Sequence, residues 1–166
     1  MYWYRVFPVA IVVVVLFGLG ANQTLAGEPV KYKASGTSIN TKLHEIEVGD
    51  TDGHVIAVFE NKQVWVSEIT GETAIAHSRG TIDLNKKSGQ GTMRGYNVTT
   101  WENGDKRYGS YEGKLMGKGQ WEGTYTDMGG TGKFDGCSGG GIWRSKSLGP
   151  GISHLESEGE RTFQSQ

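Results

Sequence analysis

Aromatic side chains with polar tips are the chemically most suggestive residues of this 166-residue chain. Trp65, Tyr96, Trp101, Tyr111, Trp121, Tyr125 and Trp143 all fall in segments that read as strands. A ring with one N–H or O–H can pack against a flat ligand and also orient it, which is what a small-molecule pocket needs. Two carboxylates run alongside. Glu112 adjoins Tyr111, and Asp127 follows Tyr125 by two residues, on the same strand face. A carboxylate inside an apolar cavity has a raised pKa and can move a proton; one that points to solvent, the commoner case, does not. Rings that merely fill a barrel are likewise commoner than rings that line a pocket. The candidate ligand site is therefore Trp65, Tyr96, Trp101, Tyr111, Glu112, Trp121, Tyr125 and Trp143, with no catalytic residue assigned.

Other chemistries find less support. His44, His54 and His77 lie in three early segments, at spacings that fit no metal motif, so no metal is expected. Gly130-Thr131-Gly132-Lys133 is too short for a phosphate loop, and no helix follows it. Nothing calls for a cofactor. Cys137 stands alone, so it cannot form an internal disulfide; a small buried residue beside a turn is the simplest reading. Asn97-Val98-Thr99 is a glycosylation sequon, but it lies within an expected strand. Acidic residues (18) and basic residues (17) nearly balance, and no basic run exceeds two, which argues against nucleic-acid binding.

The elements that would position these residues are strands. The chain holds 27 glycines and only 3 prolines, and the glycines fall between short runs of β-branched and aromatic residues. The expected strands are Val30 to Ile39, Lys42 to Val48, His54 to Glu60, Gln63 to Glu68, Thr73 to Asn85, Gly91 to Glu102, Lys106 to Met116, Gln120 to Asp127 and Gly141 to Lys146. Asn61-Lys62 reads as a hairpin turn, and Asn103-Gly104 as a stronger one, because both residues tolerate positive φ. A last strand within Ser153 to Phe163 competes with a frayed polar tail. Val55, Ala57 and Phe59 share one face, as do Trp121, Gly123 and Tyr125, while Glu122 and Thr124 take the other. A sheet of eight or more such strands removes its exposed edges most simply by closing on itself. The fold class is all-β, a small closed antiparallel barrel of about eight strands, with almost no helix beyond one turn near Lys133 to Ser138.

The N-terminus reads as a cleavable signal peptide over residues 1–26. Arg5 supplies the charge, Val6 to Ala21 the apolar run, and Thr24-Leu25-Ala26 the small residues before the cut. The run is short for a bilayer span, and Pro8 and Gly18 interrupt it. Glu28 occupies the position where a lipoprotein would carry cysteine. The barrel domain is placed at 27–147, with 148–166 as a polar C-terminal segment that could include the last strand. The mature protein is expected in the periplasm or the medium, off the membrane.

From Asn103 onward the chain also carries a recognisable pattern. Asn103-Gly104-Asp105-Lys106, Glu112-Gly113 with Gly117-Lys118-Gly119, and Gly129-Gly130-Thr131-Gly132-Lys133-Phe134-Asp135-Gly136 followed by Gly139-Gly140-Gly141-Ile142-Trp143 resemble bacterial proteins related to the allene oxide cyclase barrel. Plant dirigent proteins carry a segment similar to the last of these. The resemblance covers about residues 91–146 and implies an eight-stranded barrel with an apolar cavity, often in oligomers. Plant members bind hydrophobic small molecules and steer a cyclisation or radical coupling; their active-site residues do not map onto this chain position by position.

Three functions follow in order: a module binding a small hydrophobic or aromatic ligand, an isomerase or cyclase using the same cavity, and a structural barrel with a filled interior. A homo-oligomer fits any of them. The strand reading predicts a far-UV circular dichroism spectrum of β type after removal of residues 1–26; dominant helical minima would refute it.

Overall fold

The computed structural model describes residues 27–164. The proposed signal segment, with Arg5 and the apolar run from Val6, lies outside the described residues. Eight antiparallel strands follow one another around a closed barrel: β1 (Val30–Glu47), β2 (His54–Ser67), β3 (Thr73–Asn85), β4 (Gln90–Trp101), β5 (Lys106–Gly117), β6 (Gln120–Gly130), β7 (Ser138–Gly149) and β8 (Ile152–Thr162). Between β6 and β7 lies a single 3₁₀ turn, Gly132–Phe134.

Closure depends on the two ends of the chain. β8 pairs with β7 on one side and with β1 on the other, from Val30↔Arg161 to Ile39↔Ile152. The polar stretch after residue 150 is thus a full wall of the barrel. Two separate early segments merge into β1, with a register shift between Asn40 and Lys42. This bulge lets the strand bend while it continues to pair with β2.

The hairpin expected at Asn61-Lys62 does not form. β2 runs straight through it, and Asn61 pairs across to Asn40 and to Ser78. Neither residue is glycine, and the inward alternation of Val55, Ala57, Phe59, Gln63 and Trp65 passes through Asn61 unbroken. The true turns carry glycine where the backbone demands it. Lys118 and Gly119 have φ of 50° and 71°, the paired left-handed geometry of the tight loop joining β5 to β6. Gly104, at φ 86°, turns β4 into β5.

One end of the barrel carries an aromatic cluster beside a second hollow of about 290 Å³. Phe134 is buried there, with its ring 4.1 Å from that of Trp101 and 6.0 Å from that of Phe163. Cys137, also buried, adjoins this cluster, and burial pushes its thiol up to about 11. Lys133 lies over Trp101 and pairs with Glu72 on the loop before β3.

Inward-facing glycines set the shape of the interior. A Cβ on Gly95 would meet the Tyr111 ring at 2.7 Å, and one on Gly159 would meet the Tyr125 hydroxyl at 2.6 Å. A Cβ on Gly113 would run into the Trp143 ring. The bare wall at these positions lets Tyr111 lie close against the next strand, and Trp143 and Tyr125 reach across to the strand beyond it. Gly113→Ala should therefore lower stability by about 1–3 kcal/mol through overpacking. Gly149→Ala, where nothing lies within 4 Å, should stay within about 0.5 kcal/mol of the parent. Urea unfolding of the two variants checks this; equal losses would refute it.

Candidate functional site

The barrel encloses a cavity of about 180 Å³. Its walls include Trp65, Tyr111, Trp121, Tyr125 and Trp143, five of the eight site residues read from the sequence. They converge because each occupies an inward position of β2, β5, β6 or β7.

The other three do not join them. Tyr96 is 66% exposed, since its strand turns Gly95 and Asn97 inward instead. Glu112 lies on the outer face, one residue out of phase with Tyr111, opposite Arg94 and Thr124. Trp101 belongs to the aromatic cluster at one end of the barrel, where it lines the second hollow against Phe134. Adjacency in a strand separates two residues by the thickness of the wall, so only alternate positions can share a site.

Polar groups fix the rings. The Tyr111 hydroxyl lies 2.6 Å from Ser78 Oγ. Trp143 Nε1 donates to the backbone oxygens of Glu112 and Thr124, at 3.1 Å each. Along β2 the inward residues form a chain: Trp65 Nε1 donates to Gln63 Oε1 at 2.8 Å, and Gln63 Nε2 donates to Asn61 Oδ1 at 2.9 Å. Burial pushes the Tyr111 and Tyr125 hydroxyls up to about 12, so both remain neutral phenols. Asn97 lines the cavity and Thr99 is buried, so both polar residues of the sequon face the interior of the folded barrel. Among the described residues no group of three His, Cys, Asp or Glu side chains is close enough to share a metal ion.

The inner end of the cavity is charged. Asp127 is fully buried, and two arginines reach it from neighbouring strands. Arg161 Nε of β8 donates to Asp127 Oδ2 at 2.7 Å, and Arg107 Nη1 of β5 lies 3.0 Å from Asp127 Oδ1. The Tyr32 ring stacks on the Arg161 guanidinium, 3.5 Å from ring centre to Cζ. Burial pushes the Asp127 carboxyl upward and Arg107 opposes it. The direct bond from Arg161 opposes it further. Asp127 is ionised here, because a neutral acid would leave two guanidiniums in the interior with no counter-charge. Sequence reasoning reached Asp127 through its shared face with Tyr125. It missed Arg107 and Arg161; their inward phase, shared with Tyr111 on β5 and with Gly159 on β8, was the available signal.

No protein-family model matches the chain, and no curated protein matches it. Solved structures do. One pterocarpan synthase dirigent protein shares 12% identity at a TM-score of 0.50, covering 83% of this chain and 92% of its own. A second is similar at 12% identity and a TM-score of 0.50, over 85% of this chain and 98% of its own. The fold is that of a dirigent-type barrel; at this identity the likeness concerns the fold alone.

Asp127 and Arg107 should differ in their effect on stability. Asp127→Asn leaves two guanidiniums buried without a partner and should cost about 3–5 kcal/mol. Arg107→Met leaves the hydrogen-bonded Arg161–Asp127 pair intact and should cost much less. Chemical denaturation of both variants measures the gap; equal losses would refute the reading.

Proposed function

We propose that this chain is an exported barrel that binds a small, flat, hydrophobic or aromatic molecule inside its cylinder. The observation that carries the reading is the cavity itself, with five inward aromatic rings around about 180 Å³. Sites for drug-sized ligands usually run from about 300 to 1,000 Å³, so the occupant is small, on the order of one or two rings. The open space argues against a barrel filled solid by its own side chains. The resemblance of the Gly129–Trp143 segment to allene oxide cyclase and dirigent barrels supports the same reading, and the signal-like residues 1–26 support export.

Binding fits the geometry better than cyclase or isomerase chemistry. Proton transfer would need an acid or base free to act on the ligand. Among the described residues no carboxylate lines the cavity, and Asp127, behind Arg107, is held by Arg107 and Arg161. The Tyr111 hydroxyl is engaged with Ser78 and stays neutral.

Native mass spectrometry of protein purified from its source should show a retained small molecule. Ser153→Trp, on the cavity wall near the β7–β8 turn, should abolish the retained mass while the β-type dichroism persists. Bare protein from the source, with no added mass, would count against the reading.

A further inference from the structure

The interior charge does not balance. Arg107 and Arg161 carry two positive charges, Asp127 one negative, and Tyr32 beside them is held neutral by burial. Arg107 is 7% exposed and Arg161 5%, so water screens neither cation well. The pairing is also uneven. Arg161 hydrogen-bonds Asp127 through Nε. Arg107 donates through Nη2 to Thr99 Oγ1 at 3.3 Å, but its Nε and Nη1 make no aligned hydrogen bond to the protein. Its Nη1 faces Asp127 Oδ1 at 3.0 Å as an ion pair, so Nε is the group with no acceptor beside it; Nη2 of Arg161 is likewise without a partner. The Tyr125 hydroxyl also lacks a partner. Arg107 lines the aromatic cavity along with Tyr111, Tyr125 and Trp143, and its guanidinium lies 5.8 Å from the Tyr125 ring centre.

A buried guanidinium with unused N–H groups is costly unless an acceptor meets it. One added negative charge would neutralise the interior. A planar carboxylate matches the guanidinium fork, and a ring attached to it would extend among the aromatic walls. We propose that the cavity's ligand is a monoanionic aromatic acid whose carboxylate is held by Arg107 at the inner end. This rests on the ligand-binding reading above and adds the charge class of the ligand. Of the two arginines, Arg107 is the one that lines the aromatic cavity, while Lys133 at this end is paired with Glu72.

The test uses two probes of one shape, 2-naphthoate and 2-naphthol, titrated at pH 7 by calorimetry and tryptophan fluorescence. The anion should bind the unmodified barrel at least about tenfold more tightly than the neutral alcohol, in line with charge-assisted hydrogen bonds. Arg107→Met should bring the two affinities together. Equal affinities in the unmodified protein would overturn the anion assignment and leave the cavity reading standing. A preference that survives Arg107→Met would also overturn it. Binding of neither probe would remove both the cavity reading and the assignment built on it. The comparison within the unmodified protein stands even if the variant fails to fold.

Discussion

An eight-stranded barrel is only just wide enough for its own side chains, and this limit on interior volume governs the molecule. Every inward residue competes for the same narrow space. The chain answers with contrast: large rings on β2, β5, β6 and β7 face glycines such as Gly95, Gly113 and Gly159, one or two strands away around the barrel. Each ring then lies along the wall and not across the lumen. A wall of medium-sized residues would have given a solid core; glycine against tryptophan or tyrosine leaves a space lined by ring faces. The outer surface, by contrast, carries ordinary polar residues together with exposed Val58, Val64 and Ile75.

The same narrowness explains the electrostatics. Charged side chains enter the lumen from β5, β6 and β8 at one level, next to the aromatic cluster of Phe134, Trp101 and Phe163. Asp127 is flanked in register by Gly109 and Gly139, which clears room for arginines to approach from both sides. The Tyr32 ring lies against the Arg161 guanidinium in place of solvent. One end of the cavity is thereby polar and charged, and the rest is aromatic. An arrangement of this kind would orient the ligand proposed above as well as hold it.

Much of this was legible before any coordinates. The glycine spacing and two-residue alternation announced a barrel, and the inward phase of Trp121 and Tyr125 was readable directly. Legibility failed where polar residues face inward. β2 looked broken at Asn61-Lys62 because Asn61 and Gln63 interrupt its apolar run, yet they form the hydrogen-bonded chain to Trp65. β8 looked like a tail because Ser153, Ser157, Gly159 and Arg161 face the lumen while Glu156, Glu158 and Glu160 face out. Neither face shows the apolar signal on which pattern reading depends.

The chain's residues alone determined that the polypeptide is all strand, where most of its turns fall and that its aromatic side chains recur along the sheet. Those are local properties, set by backbone preference and by the period of two. Only the closed tertiary structure decided which rings meet, because Tyr96, Glu112 and Trp101 are separated from the cavity by wall phase and by height along the barrel axis. It also decided that Arg107 and Arg161, more than fifty residues apart, converge on Asp127. That meeting follows from strand order and from the register around the ring, quantities that arise from long-range pairing and leave no mark on any short stretch of sequence.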